Sequence, residues 1–173
     1  MTPSLKNILN GHLQKDPIVY LLRGNPAVFD EAIQLALQSD ERTAWRAAWV
    51  LYHAMEDHDP RLQPYLPALI SALRDKRDGH QRELLKIIER LKTDDDLEGE
   101  LFDICMDIWE NPGKSPSSRI TAFRVMFRIA KKYPELLGEL SFLLQEHYTE
   151  SLSPGIRHSL QRMVEGSEQE GGL

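Results

Sequence analysis

The chain has 173 residues, of which 41% are hydrophobic and 28% charged, and its formal net charge is −6 at pH 7. This length fits one domain or one short repeat array, and the acidic balance argues against a protein that coats nucleic acid or anionic lipid. No stretch approaches the roughly 20 apolar residues of a membrane helix, no signal peptide is expected, and the single cysteine favours the cytoplasm.

Helical periodicity extends along almost the whole chain, and no segment shows the alternation that is typical of a strand. The first 25 residues place Leu5, Ile8, Leu9 and Leu13 at helical spacing, which predicts a helical cap over the elements that follow. Eight amphipathic segments come next, at residues 26–39, 43–57, 64–75, 82–92, 97–110, 119–133, 134–148 and 155–166. Because helices this short are marginal alone, each must bury its apolar stripe against its neighbours.

The gaps between the segments divide them into four helix pairs. Prolines fall in the gaps or at helix starts, where a missing backbone N–H costs least. We therefore predict a single helical-repeat domain at residues 1–166, followed by a polar, disordered tail at 167–173. The cap occupies residues 1–25, and the four pairs occupy residues 26–59, 60–93, 94–133 and 134–166.

An arginine heads the second helix of each predicted pair. These residues are Arg46, Arg82, Arg119 and Arg157, at intervals of 36, 37 and 38 residues. The stretches "SDERTAWRAAWVL" and "RDKRDGHQRELL" also carry an aspartate before the arginine and an apolar ladder after it. Helix pairs of this period and pattern resemble HEAT-type and armadillo-type repeats. The resemblance implies an all-α fold, namely a right-handed α-α superhelix of about four helix pairs with the N-terminal cap.

The stretch "LYHAMEDHDP", at residues 51–60, raises the question of a metal or acid–base site. At about 100° per residue, His53 and Asp57 fall on the face opposite the apolar stripe. Such a pair supplies two metal ligands, or a base and the group that orients it, so a helical metal-dependent hydrolase is one alternative function. Because a catalytic zinc needs about three protein ligands, we favour a solvated helix end, with no catalytic residue, metal or cofactor.

Three aromatic residues, Trp45, Trp49 and Tyr52, lie along one flank of the same predicted helix. Aromatic side chains in this position either pack against the adjacent repeat or form a surface patch that anchors a peptide or a ring. At the level of sequence both interpretations stay open.

Opposite charges lie on the two helices of the third predicted pair. The acidic set is Glu100, Asp103, Asp107 and Glu110, and the basic set is Arg124, Arg128 and Lys131, with Lys132 beside them. HEAT-like arrays place the second helices on the concave side, so the resemblance implies a basic inner groove. Residues expected to extend this groove are Arg46, Arg82, Lys86 and Arg157. The alternative is that these are ordinary solvated faces.

The sequence therefore predicts a non-catalytic protein–protein interaction or scaffold module that binds an acidic or phosphorylated segment in a concave groove. The residues expected to contact the partner are Arg46, Trp45, Trp49, His53, Asp57, Arg82, Lys86, Arg124 and Arg128. The expected partner is another protein. Nucleic acid and membrane are not expected, and the oligomeric state stays open.

A nucleic-acid-binding protein is the other alternative function. In its repeat type, and in having tryptophans near a carboxylate, the chain is similar to the bacterial alkylpurine glycosylases that are built from HEAT-like repeats. Those enzymes use a basic concave face with Trp and Asp around the lesion. The chain departs from them in its acidic balance and shorter length, and Asp57 lies two helical turns beyond Trp49.

Overall fold

The computed structural model describes residues 3–12, 14–39 and 42–170, with side chains described as far as residue 167. Leu13 of the predicted cap lies outside the described residues, as do Asp40 and Glu41 of the first repeat motif. In the described ranges all regular structure is helical, and the predicted all-α repeat fold class is confirmed.

The described helices form two compact units that divide between Leu97 and Glu98. In the first unit α4 is central, because it packs against α1, α2, α3 and α6. The α-helices of this unit are α1 (Leu5–Asn10), α2 (Lys15–Gly24), α3 (Pro26–Ala36), α4 (Arg42–Ala54), α5 (Leu66–Ala72) and α6 (Asp78–Glu89). Short 3-10 helices at Gln63–Tyr65 and Leu73–Asp75 flank α5.

Local side chains set where several of these helices begin. The hydroxyl of Ser4 caps α1, and the side-chain oxygen of Asn25 accepts from the backbone N–H groups of Ala27 and Val28 at the start of α3. Pro26 occupies the first position of α3, where its missing N–H is not needed. The sequence thus defines the entry to α3 with two adjacent residues.

The apolar stripe of α4 is fully buried. Its residues are Ala44, Ala47, Ala48, Val50, Leu51 and Ala54. Because most of these side chains are single methyl groups, neighbouring helices can approach α4 closely. The large side chains of this core come mainly from those neighbours, and they include the buried Phe29 and Ile33 of α3 and Leu22 of α2.

The second unit is organised around a buried tryptophan. Its α-helices are α7 (Asp95–Glu110), which begins just before the division, α8 (Pro116–Ala130), α9 (Pro134–Phe142), α10 (Glu146–Thr149) and α11 (Pro154–Glu170). The indole of Trp109 on α7 lies 4.9 Å, centroid to centroid, from the ring of Phe123 on α8. Its Nε1 donates to the carbonyl oxygen of Leu143, just after α9, at 3.1 Å. Trp109 therefore links three helices of this unit.

Two details differ from what the sequence pattern indicates. On α3 helical spacing predicts a buried stripe of Val28, Ala32, Leu35 and Ala36. The buried face is instead centred on Phe29 and Ile33, and Val28 is only half-buried. Val28 and Phe29 are adjacent apolar residues, and helical spacing alone does not decide which of the two faces the core. In addition, α11 continues through Glu170 into the segment predicted to be disordered from residue 167. Glutamate and glutamine there are good helix formers.

Candidate partner-binding surface

Three side chains near the end of α4 pack ring against ring. The imidazole of His53 meets the indole of Trp49 edge-on, with centroids 5.2 Å apart, and the phenol of Tyr52 edge-on at 5.3 Å. Their spacing in sequence puts all three on one side of the helix, and each is half-buried. We call these three residues, together with Arg82 and Lys86 of α6, the α4–α6 face.

Lys86 joins the two helices of this face. Its Nζ lies 4.2 Å from the centroid of the Tyr52 ring, a cation–π contact, and donates to Oε2 of Glu83 at 3.1 Å. Arg82 donates from Nη2 to the other oxygen of the same carboxylate at 3.4 Å. The side chain of Glu83 is only 3% exposed. Two surface cations therefore share one buried carboxylate, and the cluster keeps a net positive charge.

The electrostatic surroundings of His53 reflect this charge. Burial lowers the pKa of the imidazole below its ordinary value, and the positive charges of Lys15 and Lys86 lower it further. The carboxylate of Glu83 opposes these effects without cancelling them. His53 is therefore neutral at neutral pH, in a field that favours a negatively charged group.

Trp45 lies one turn before Trp49 and is half-buried against the start of α6. A Cβ added at Gly79 would come within 3.3 Å of Nε1 of this indole, so the glycine leaves room for the ring. Of the two interpretations that the sequence left open, packing against the adjacent repeat describes Trp45. Trp49 and Tyr52 contact His53 on the α4–α6 face.

Arg46 has a structural contact that the sequence analysis did not foresee. Its Nη1 donates to the carbonyl oxygen of Leu9, and to that of Gly11 at 3.4 Å. Because the last carbonyl groups of a helix have no partner within it, Arg46 closes the end of α1. Because Nη1 of the guanidinium makes this contact, the α4–α6 face is defined without Arg46.

Arg119 holds the corresponding repeat position in the second unit and makes the same kind of contact. Its Nε donates to the carbonyl oxygen of Trp109 at 2.9 Å, and its Nη2 donates to that of Tyr148. Its Nη1 donates to Oγ of Ser151 at 3.1 Å. The side chain is buried, and burial lowers the pKa of the guanidinium. At two of the four repeat positions the arginine therefore donates to backbone carbonyl oxygens of neighbouring segments. We call an arginine with these contacts a clamp.

His53 and Asp57 do not share a helix face, because α4 ends at Ala54. Asp57 lies beyond that end, and its Oδ1 accepts from Nε of Arg90 at 2.7 Å. Arg90 also donates from Nη1 to the carbonyl oxygen of Tyr52 at 3.0 Å. Asp57 therefore orients an arginine that caps α4, which differs from the base-and-orienter pair considered from the sequence.

Arg124 and Arg128 lie half-buried on α8 in the second unit. Arg124 donates from Nη2 to Oγ1 of Thr121 at 3.5 Å. The acidic residues of α7 that the sequence placed on one face are all exposed, namely Glu100, Asp103, Asp107 and Glu110. Lys132, expected beside the basic set, binds the buried carboxylate of Glu98. Lys131 of the basic set is exposed at the end of α8, so the basic surface there consists of the two arginines and Lys131.

The described residues offer no assembled metal site. Among them, no three His, Cys, Asp or Glu side chains are placed to hold one metal ion. Within the same ranges, no helix has both the length and the apolar character to cross a membrane.

Three residues that the sequence analysis did not single out shape the α4–α6 face. Glu83 anchors both of its cations, Arg90 caps α4, and Arg23 donates from Nη2 to the carbonyl oxygen of His53 at 3.0 Å. The spacing of Glu83 and Lys86, three positions apart, was a usable signal. Arg23 and Arg90 contact residues 30 and 38 positions away, so no local pattern reveals them.

One comparison with known proteins found a match. A family model described as a HEAT repeat domain matches residues 5–166, a range that contains every residue of the α4–α6 face. No curated protein and no solved structure matches the chain.

Proposed function

Because the chain belongs to the HEAT repeat domain family, we propose that it is a non-catalytic module that binds an acidic or phosphorylated segment of another protein. HEAT repeats generally mediate protein–protein interactions, which supports an interaction or scaffold role at the coarse level. The proposal places the main contact on the α4–α6 face.

The observation that carries the proposal is the combination of half-buried aromatic rings and partly exposed cations on this face. Trp49 and Tyr52 bury much area at a small entropy cost when a partner covers them. The ammonium group of Lys86 makes a cation–π contact with the ring of Tyr52. Arg82 lies on α6, the helix that also carries Lys86. Aromatic anchors supply affinity, while the two cations select a segment that carries carboxylates or phosphates.

Arg124 and Arg128 of α8 are a separate part of the proposal, because they lie in the second unit. An arginine guanidinium pairs with a carboxylate or a phosphate through two parallel hydrogen bonds. We treat this surface as a second contact region for acidic segments, tested independently of the α4–α6 face.

Binding of an oligoglutamate peptide and of a phosphoserine peptide, measured by titration calorimetry, tests the proposal. Lys86→Gln removes the charge but keeps a hydrogen-bond donor for Glu83, and we expect a dissociation constant raised by roughly fivefold or more, about 1 kcal/mol. Trp49→Ala should weaken binding by at least as much, because it removes an aromatic anchor. Lys6→Gln, at an exposed position on α1, is the matched control and should bind as the unmodified protein does.

Two results would contradict the proposal for the α4–α6 face. One is the absence of binding to either peptide, and the other is equal affinity for Lys86→Gln and Lys6→Gln. For the second region, the double variant with Arg124→Glu and Arg128→Glu should lose peptide binding that persists after Lys86→Gln, while its melting temperature changes by only a few degrees. Unchanged binding by the double variant would remove α8 from the proposal.

The alternative of a nucleic-acid ligand is tested in a separate experiment. A gel-shift assay across salt concentrations with duplex DNA would show a steep loss of affinity with salt if the cations contact phosphates of a duplex. We expect no such salt-dependent shift, since the chain carries a net charge of −6.

A further inference from the structure

We propose that His53 couples proton binding to partner binding, taking up a proton when an acidic segment docks on the α4–α6 face. This inference rests on the proposed function, and it assigns to His53 a role that the cations beside it do not have. Binding would then be tighter at mildly acidic pH than at neutral pH.

The imidazole of His53 is held between two aromatic rings and is still accessible to a partner. The imidazole is half-buried between Trp49 and Tyr52, so its ring is held in place while part of it stays open to solvent. The ammonium group of Lys86 makes a cation–π contact with the Tyr52 ring, which His53 also contacts edge-on. A carboxylate that approaches Lys86 therefore also approaches an imidazole that is already oriented.

The charges that act on the imidazole of His53 come from α2, from α6 and from the residue that follows α6. From α2 this is Lys15, and Arg23 of the same helix donates to the carbonyl oxygen of His53. From α6 they are Lys86, which is positive, and Glu83, which is negative, and Arg90 just after the end of α6 adds a further positive charge. Among the described residues, α1 and α3 supply none of these charges. Positive charge therefore dominates around the α4–α6 face and opposes protonation of the imidazole.

A bound acidic segment changes this balance in one direction. Burial and the neighbouring cations hold the pKa of His53 below its ordinary value in the free protein. Carboxylates placed against the face favour the charged form and raise that pKa. Because the pKa is higher in the complex, affinity rises as the pH falls through the value of the complex, and it levels off below the value of the free protein.

The size of the effect follows from the difference between the two pKa values. Each unit of difference corresponds to about a tenfold change in affinity, so we expect roughly 3- to 10-fold tighter binding at about pH 6 than at about pH 7.5. An oligoglutamate peptide is the suitable probe, because its carboxylates stay ionised throughout this range, whereas a phosphate monoester titrates within it.

Titration calorimetry in two buffers that differ in ionisation enthalpy measures the proton uptake directly. With the oligoglutamate peptide at mildly acidic pH, the full-length protein should take up a fraction of one proton per peptide bound. His53→Gln, which keeps a polar side chain of similar size, should bind the peptide without this uptake and with an affinity that no longer depends on pH.

His58→Asn is the matched control. His58 is exposed and has a backbone φ of 55°, a conformation that asparagine tolerates. This variant should keep the proton uptake of the unmodified protein. Peptide binding without proton uptake, or uptake that persists in His53→Gln, would overturn the inference while leaving the proposed function standing. Failure of the peptide to bind at any pH would overturn both.

Discussion

Leu51 and His53 are two positions apart on α4 and have opposite environments. The side chain of Leu51 is fully buried, whereas His53 is half-buried at the surface between two aromatic rings. The pattern of small and apolar residues along α4 is enough to predict this difference, because only one rotation of the helix buries all of its alanines together. The same rotation places Trp49 and His53 at the surface, where each is half-buried.

This difference predicts the order of two stability changes. Leu51→Ala removes fully buried methyl groups and leaves a cavity, and it should lower the free energy of unfolding by about 2–5 kcal/mol. His53→Ala should lower it by no more than about 1 kcal/mol, because it removes only edge contacts at the surface. Urea denaturation of the two variants measures both values. A larger loss for His53→Ala would mean that this rotation of α4 is wrong.

At the scale of elements, side chains from neighbouring helices complete the ends of several helices. Arg46 closes α1, and Arg23 and Arg90 bind carbonyl groups at the end of α4. The interval between the repeated arginines predicts that helix pairs recur, but it does not predict which arginines act as clamps. That role depends on which helix end folds back beside each arginine, and Arg82 differs from Arg119 because it lies beside Glu83 instead.

Removing Arg119 and removing Arg82 should therefore lower the free energy of unfolding by different amounts. Arg119→Ala leaves the buried carbonyl group of Trp109 and the partly buried one of Tyr148 without this donor, and it should lower the free energy of unfolding by about 3 kcal/mol. Arg82→Ala should cost about 1 kcal/mol or less, because its side chain is partly exposed and Lys86 still pairs with Glu83. Both values come from urea denaturation monitored by circular dichroism.

A lysine variant tests the reason for this difference. Arg119→Lys should recover little stability, since one ammonium group cannot reproduce the three directions in which the guanidinium donates. Full recovery by Arg119→Lys, or equal losses for Arg119→Ala and Arg82→Ala, would contradict the clamp.

At the scale of the whole molecule, the sequence predicts the class of fold better than it predicts the surface. Stripes at helical spacing and a recurring arginine are repeated signals, and they lead to the HEAT repeat domain family that the comparison establishes. The site is less predictable because its geometry depends on details such as the residue at which one helix ends. Asp57 was placed beside His53 by continuing the helical count, but α4 ends at Ala54, and Asp59 then accepts from the backbone N–H groups of Glu56 and Arg61 in the turn that follows.

The measurement that tests the central claim most directly is the indole N–H spectrum of the protein during titration with the oligoglutamate peptide. The chain has three tryptophans, and each gives a separate indole signal. Trp49 lies on the α4–α6 face, Trp45 packs against Gly79, and Trp109 is buried and bound to Leu143. We predict that the Trp49 signal shifts with saturation while that of Trp109 does not. Saturable shifts confined to Trp109, or no shift of Trp49 at peptide saturation, would contradict the account.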